Sequence, residues 1–232
     1  MATPTTATMS SAGLLGRAHE EEGILAAAPP RSKAYEITKR ILDTVCVSIL
    51  LALLSPLMVL AAVLIKLTSR GPVIFQQKRA GRSGKPFTMY KFRTMRVGAE
   101  EDQVFLAHHN EQDGPAFKMT NDPRLTVIGR LLRRTSIDEL PQLLNVLTGK
   151  MSLVGPRPLP LQEAQKVTGQ ATLRTAVKPG LTCLWQISGR NELTYEERVL
   201  LDLYYIRHRS VALDLLILVR TIPAVLSCRG AY

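Results

Sequence analysis

Residues 44–65 read TVCVSILLALLSPLMVLAAVLI, twenty-two positions without a charged side chain. A straight helix of that length covers roughly 33 Å, enough to cross a hydrocarbon layer of about 30 Å. Arg31, Lys33, Lys39 and Arg40 precede the run, and Lys66, Arg70, Lys78, Arg79, Arg82 and Lys85 follow it closely. Positive charge beside an apolar segment favours the cytoplasmic side, and here both flanks ask for that side. Ser55 and Pro56 lie at the middle of the run, where proline removes one backbone hydrogen bond and serine can satisfy the carbonyl left over. Each half then reaches about 17 Å. A helix that enters, kinks at Ser55-Pro56 and returns to the same leaflet satisfies both flanks; a proline-kinked single span is the plainer alternative.

A chain of 232 residues fits one domain of ordinary size with short extensions. Its net charge of +11 would ordinarily raise nucleic acid as a partner, but the excess is local. Residues 31–96 carry thirteen Lys/Arg against Glu36 and Asp43, whereas residues 97–232 carry sixteen against fourteen acidic groups. Charge that brackets the most apolar segment favours lipid head groups over a nucleic-acid face, so no nucleic acid is expected. Cys46, Cys183 and Cys228 are odd in number and far apart, and the four histidines form no ligand spacing with them. Neither a disulfide framework nor a zinc site is expected, and a reducing compartment is. Residues 1–32, rich in Ala, Thr, Ser and Pro, read as a mobile tail without a signal-peptide pattern. The division is then a tail over 1–32, a membrane helix with its flanks over 33–70, and a cytosolic or interfacial domain over 71–232.

Residues 73–77 and 87–92 have strand composition and predict a hairpin across Gly81-Arg82-Ser83-Gly84. The Gly-Lys pair there is no phosphate loop, because Pro86 stands where Ser or Thr is required and the glycine spacing is wrong. Residues 98–123 read mostly as loop, with one short helix. Leu125, Ile128, Leu131 and Leu132 recur at helical spacing among Arg124, Arg130, Arg133 and Arg134, a basic amphipathic helix suited to an anionic membrane surface or to an ordinary solvated face. Helices are also predicted over 161–174, 194–207 and 211–226. The last carries Asp214, Arg220 and Pro223, which place it in the interface or the core rather than in a second span. The expected fold is α/β, mostly helical, with a small β-hairpin and interfacial amphipathic helices.

Chemistry is concentrated at Ser136-Ile137-Asp138-Glu139-Leu140-Pro141, just after the basic run 130–134. Ser136-x-x-Glu139 matches a capping box, so helix closure is the plainest account of Glu139. Pro141 favours the first helical position, which would instead put the two carboxylates just outside a helix. Downstream, Gly155-Pro156-Arg157-Pro158 fixes the backbone around one arginine, and Lys178-Pro179-Gly180 and Gly189-Arg190-Asn191 are tight turns that carry cations. Arginines on stiff loops suit phosphate recognition, because the guanidinium fork matches two oxygens at once. A carboxylate attacking a diphosphate needs such cations: two unit charges 4 Å apart repel by roughly 4 kcal/mol at an effective dielectric of about 20. An oxygen-ligated Mg²⁺, held by a carboxylate and the diphosphate, would supply the remainder.

Ser55-Pro56, Lys91-Phe92-Arg93-Thr94-Met95, residues 136–142 (SIDELPQ), 151–158 (MSLVGPRP), Lys178-Pro179-Gly180-Leu181-Thr182, 185–191 (WQISGRN) and Asp202-Leu203-Tyr204-Tyr205 occur in this order from residue 33 onward. Together they resemble the bacterial sugar transferase family, the monotopic phosphoglycosyl transferases, and the compact size resembles the short members that initiate exopolysaccharide repeat units. The resemblance implies transfer of hexose 1-phosphate from a UDP-hexose to undecaprenyl phosphate with release of UMP. It also implies a re-entrant membrane helix broken at Ser55 and Pro56, and a catalytic part facing the cytoplasm at the bacterial inner membrane. By the same resemblance Asp138 is the nucleophile that forms a phosphosugar-enzyme intermediate, and Glu139 assists with metal or proton handling. Arg133, Arg157 and Arg190 hold phosphates, with Lys91, Arg93 and Asp202 completing the expected substrate site; Asp138 and Glu139 are the expected Mg²⁺ ligands. A non-catalytic membrane adaptor, or a sugar transferase releasing UDP, are the rivals. No pattern reads a particular hydroxyl of the hexose, and a homo-oligomer is compatible with the sequence without being required by it.

Overall fold

A computed structural model of the chain describes residues 11–20, 32–111, 113, 117 and 119–227. The apolar run lies within helix α2, Lys33–Thr68, 36 residues, roughly 54 Å at 1.5 Å per residue. The Ser32 hydroxyl starts it by accepting from the Tyr35 amide at 3.2 Å, which satisfies one of the amides a helix start leaves over. Pro56 cannot donate to the Ala52 carbonyl, and the Ser55 hydroxyl donates there instead at 2.9 Å. Only 11% of the most apolar stretch of α2 is buried, at a mean hydropathy of 2.7. Ile37, Ile49, Leu53, Val59 and Leu67 are all more than half exposed. A soluble core helix would be covered; by length and composition this one can cross a membrane.

Both halves of α2 are held by the same folded body. In the first half, Arg40 donates to the Val146 and Leu147 carbonyls at 2.7 and 2.6 Å, closing the C-terminus of α4 (Gln142–Leu147). Asp43 accepts from the Leu153 amide at 3.0 Å, and Lys39 pairs with Asp214 at 2.8 Å. In the second half, Ala61 and Ile65 are buried against Phe92 and Leu132. Beyond it, Arg93 donates to the Ser69 carbonyl at 3.0 Å and to the Arg70 carbonyl.

Strands β1 (Ile74–Ala80) and β2 (Pro86–Phe92) form the antiparallel hairpin, in a register that pairs Ile74 with Phe92 and Ala80 with Pro86. Helix α3, Val127–Arg134, starts at Thr126, whose hydroxyl accepts from the Gly129 amide. It crosses the end of the hairpin so closely that a Cβ on Gly129 would come within 1.8 Å of the Thr94 carbonyl oxygen. Two short strands that sequence reading did not anticipate, β3 (Ser152–Val154) and β4 (Gly180–Thr182), pair in parallel. Gly155 and Gly180 let their backbones touch, since a Cβ on Gly180 would lie 2.1 Å from the Gly155 nitrogen.

The core is built around α7 (Tyr195–His208), in which Leu201 and Ile206 have no exposed surface. Thr194 and Glu197 close its start as a reciprocal capping box. The short α6 (Leu184–Ser188) packs against it, and the long α8 (Val211–Leu226) packs against α6 and the β3–β4 pair. On α8, Leu213 and Ile217 face the core while Leu215, Val219 and Ile222 are exposed, an amphipathic arrangement suited to the interface expected for this segment.

Two expectations need correction. Within the stretch expected to be a mobile tail, Ser11–Glu20 is helix α1, and Leu14 and Ala18 bury themselves against the core; residues 1–10 and 21–31 lie outside the described residues. The helix expected over 161–174 is instead α5 (Leu161–Ala164) followed by a 3-10 segment, Gly169–Ala176. The break comes where Thr168 is extended and Gly169 takes a φ of 61°.

Candidate active site

The carboxylate pair sits in a single 3-10 turn, Ile137–Glu139, between α3 and α4. Ser136 reverses the chain in the left-handed region, φ 57° and ψ 14°, and its hydroxyl caps nothing. The capping box expected at Ser136 and Glu139 is therefore absent, because an N-cap needs the extended backbone that a left-handed Ser136 lacks, and Glu139 is engaged by Arg157 and Lys91. Pro141 precedes the first turn of α4, which leaves both carboxylates outside that helix at its N-terminal end.

Three elements bring cations to the turn. Lys91, from β2, places its ammonium 2.9 Å from Glu139 and 3.8 Å from Asp138. Arg157, from the segment after β3, grips Glu139 with both guanidinium nitrogens: Nη1 donates to Oε2 at 3.2 Å, and Nη2 donates to Oε1. Arg133, at the end of α3, donates through Nε to the Thr94 hydroxyl at 3.0 Å and carries the charge that attracts Asp138. The Lys91-Phe92-Arg93-Thr94-Met95 motif thus supplies one cation directly and orients a second through Thr94.

The two carboxylates are electrostatically unlike. Asp138 is buried at 5% exposure. Burial raises its pKa, Lys91 opposes the rise and Glu139 adds to it, leaving the group pushed up to about 6. Glu139 feels the same burial, but Arg157 and then Lys91 outweigh it and hold its carboxyl well below the usual range. Burial likewise lowers the Lys91 pKa, against the pull of Glu139 and Asp138. One carboxylate is locked in a charge-assisted fork; the other is a poorly solvated base with a loose partner.

Other expected residues stand elsewhere. Arg93 is buried and turned to the Ser69 and Arg70 carbonyls, so it anchors the end of α2 rather than facing the dyad. Asp202 has no exposed surface and accepts from Arg174 Nε at 2.7 Å; burial, opposed by Arg174, pushes its pKa up to about 6. A sealed anion does not touch a substrate phosphate, and Asp202 instead orders the core beside the site. Arg190 follows α6 at a φ of 53°, with Nε donating to the Gln186 carbonyl at 3.3 Å.

Sequence reading missed Arg79. It donates to the Pro158 carbonyl at 2.9 Å, bracing the arginine-bearing segment, and burial together with nearby Arg157 lowers its pKa to about 10. The signal was strand parity: Gln76 and Lys78 are exposed, whereas Gln77 and Arg79 lie on the covered side.

Among the described residues, no three His, Cys, Asp or Glu side chains converge as a metal cage. The dyad offers two carboxylates, one already forked to Arg157. That donor set fits a hard cation that takes most of its ligands from water and a substrate diphosphate, as Mg²⁺ does.

The family model described as bacterial sugar transferase matches residues 34–228. The chain belongs to that family. The transferase is 42% identical over 200 residues to the exopolysaccharide production protein ExoY of Rhizobium meliloti, covering 84% of this chain and 88% of that one. It is 42% identical over 209 residues to the UDP-glucose:undecaprenyl-phosphate glucose-1-phosphate transferase of Caulobacter vibrioides, covering 86% of this chain and 73% of the relative. It is 43% identical over 209 residues to the undecaprenyl-phosphate galactose phosphotransferase of Salmonella typhimurium, covering 86% of this chain but 43% of that longer protein.

Proposed function

We propose that this transferase moves a hexose 1-phosphate from a UDP-hexose to undecaprenyl phosphate, at the cytoplasmic face of the bacterial inner membrane, as the first membrane step of exopolysaccharide biosynthesis. The observation that carries the reading is the inequality of the carboxylates: Glu139 is clamped by Arg157 and Lys91, while Asp138 keeps a raised pKa and a looser 3.8 Å ion pair. In the first step an Asp138 carboxylate oxygen attacks the phosphorus that bears the sugar. The bond from that phosphorus to the bridging oxygen breaks, and UMP leaves with the oxygen. In the second step a phosphate oxygen of undecaprenyl phosphate attacks the aspartyl-phosphosugar, the acyl phosphate bond breaks, and Asp138 is regenerated beneath a polyprenyl diphosphate sugar. Covalent catalysis of this kind divides one displacement into two.

Arg157 and Lys91 keep Glu139 ionised and fixed, and Arg133, held by Thr94, adds positive charge beside the attacking carboxylate. Mg²⁺, held through Asp138 and Glu139, would neutralise diphosphate charge when bound. The N-terminal half of α2 and the dyad rest on one body, which supports a site at the head-group plane where a lipid phosphate and a soluble donor meet.

The test is a panel of UDP-hexoses offered to membranes containing the protein and undecaprenyl phosphate. UMP release with formation of a lipid-linked sugar diphosphate is expected, and it also identifies the hexose; UDP release would overturn the mechanism.

A further inference from the structure

A shallow cleft away from the dyad is lined by none of the dyad's cations. Its walls come from the first turns of α2, the β1–β2 loop, β3, the Lys178 turn before β4, and the end of α7 with the residue that follows it. Five lining side chains are cationic: Lys39, Arg40, Arg82, Lys178 and Arg209. Glu36 and Asp43 are the acidic ones.

The cations are unequally committed. Lys39 is paired with Asp214, Arg40 closes α4, and Arg209 donates to the Ile206 carbonyl. Asp43 is turned to the Leu153 amide. Among the described residues, Lys178 and Arg82 form no ion pair with any carboxylate. Burial lowers the Lys178 pKa and Arg40 adds to the effect, with Asp43 opposing it, so an arriving anion would still favour the charged ammonium. Independently, Ser152 lines the same cleft and is 1% exposed, and its hydroxyl has no hydrogen-bond partner among the described residues. A buried hydroxyl without a protein partner is an unmet hydrogen-bonding group that a bound oxygen at the cleft would satisfy.

The cleft also lies at the polar ends of the two apolar elements. Ile37 and Ile41 on α2 and Leu215 and Val219 on α8 are exposed nearby in sequence. Basic pockets between membrane elements on the cytoplasmic side suit anionic lipid head groups. We propose that the cleft binds a phosphate-bearing anion through Lys178, Arg82 and Ser152, and that its source is the head group of an anionic phospholipid distinct from the reacting lipid. This depends on α2 lying in the bilayer and not on the chemistry of Asp138.

The experiment places the full-length protein in nanodiscs of phosphatidylcholine with and without phosphatidylglycerol and counts retained phosphatidylglycerol by native mass spectrometry. Wild type is expected to retain it. Lys178→Gln and Arg82→Gln should each weaken retention about fivefold, the worth of one charge near the surface, and Lys178→Arg should restore it. Both Gln variants should unfold at the wild-type temperature, which shows that they are folded, and because retention is read without turnover the result is separate from any failure of the proposed reaction. Stabilisation by inorganic phosphate in detergent, lost in the same variants and unaccompanied by phosphatidylglycerol retention, would overturn the lipid source. Equal retention by wild type and the Gln variants would overturn the site itself.

Discussion

Lys91 is shared by the two carboxylates, 2.9 Å from one and 3.8 Å from the other, and it is the largest influence opposing the raised pKa of Asp138. The attacking form is the carboxylate, so release of UMP should rise with pH through about 6 and fall about tenfold per unit well below it. Lys91→Met removes the opposing cation, and the acidic limb should move to higher pH; a pH profile of single-turnover UMP release checks both. Asp138→Asn separates chemistry from architecture. A carboxylate whose folded pKa exceeds its unfolded value penalises the native state above that pH, so the amide should leave thermal stability at pH 7 unchanged or higher while lowering UMP release by at least about a thousandfold. Were the pair only a helix cap, Asn would serve equally and activity would persist. The dyad and its basic setting were legible because carboxylates, arginines and proline-stiffened turns are scarce local signals. The capping box was not excluded by sequence, since a left-handed Ser136 leaves no mark in residue type. Asp202 and Arg93 look like site residues in a motif, and only burial shows that one pairs with Arg174 and the other with backbone carbonyls.

At the level of elements, α3 positions Arg133 because Gly129 lets it touch the Thr94 backbone, whose hydroxyl then holds the guanidinium. Gly129→Ala should push α3 outward, destabilising the protein by about 1–3 kcal/mol and lowering UMP release along with it. Thermal unfolding and turnover, measured on the same preparation, check the pairing of the two losses. The hairpin could be read from strand composition and its loop, and α7 and α8 from long apolar periods. The parallel pair could not: β3 and β4 are three residues each and separated by an intervening helix and 3-10 segment, too short to show a period. Helix α1 escaped for a similar reason, as Leu14 and Ala18 give only one buried repeat inside an Ala- and Ser-rich stretch.

For the whole molecule, the question is which side of the bilayer each end of α2 occupies. If α2 crossed as a single span, Lys33 and Arg70 would face opposite compartments across about 30 Å of hydrocarbon. Yet Arg40 and Asp43 near one end, and Ala61, Ile65 and Ser69 near the other, all hold the same body. Crossing would require either tearing one set away or drawing Arg93 and the hairpin into the lipid, where an arginine parted from its carbonyl acceptors costs several kcal/mol. We propose that α2 instead returns to the side it entered, which would keep both sets; the helix is continuous through Pro56, and the Ser55 hydroxyl on the Ala52 carbonyl leaves no orphaned acceptor where a bend would form. The prediction is made on Lys33→Cys and Arg70→Cys, each in a background with Cys46, Cys183 and Cys228 replaced. A membrane-impermeant maleimide should label both in inside-out vesicles and neither in intact spheroplasts. Labelling of one position from the outer face, with the other protected, would establish the single span and move the second half of α2 away from the catalytic body.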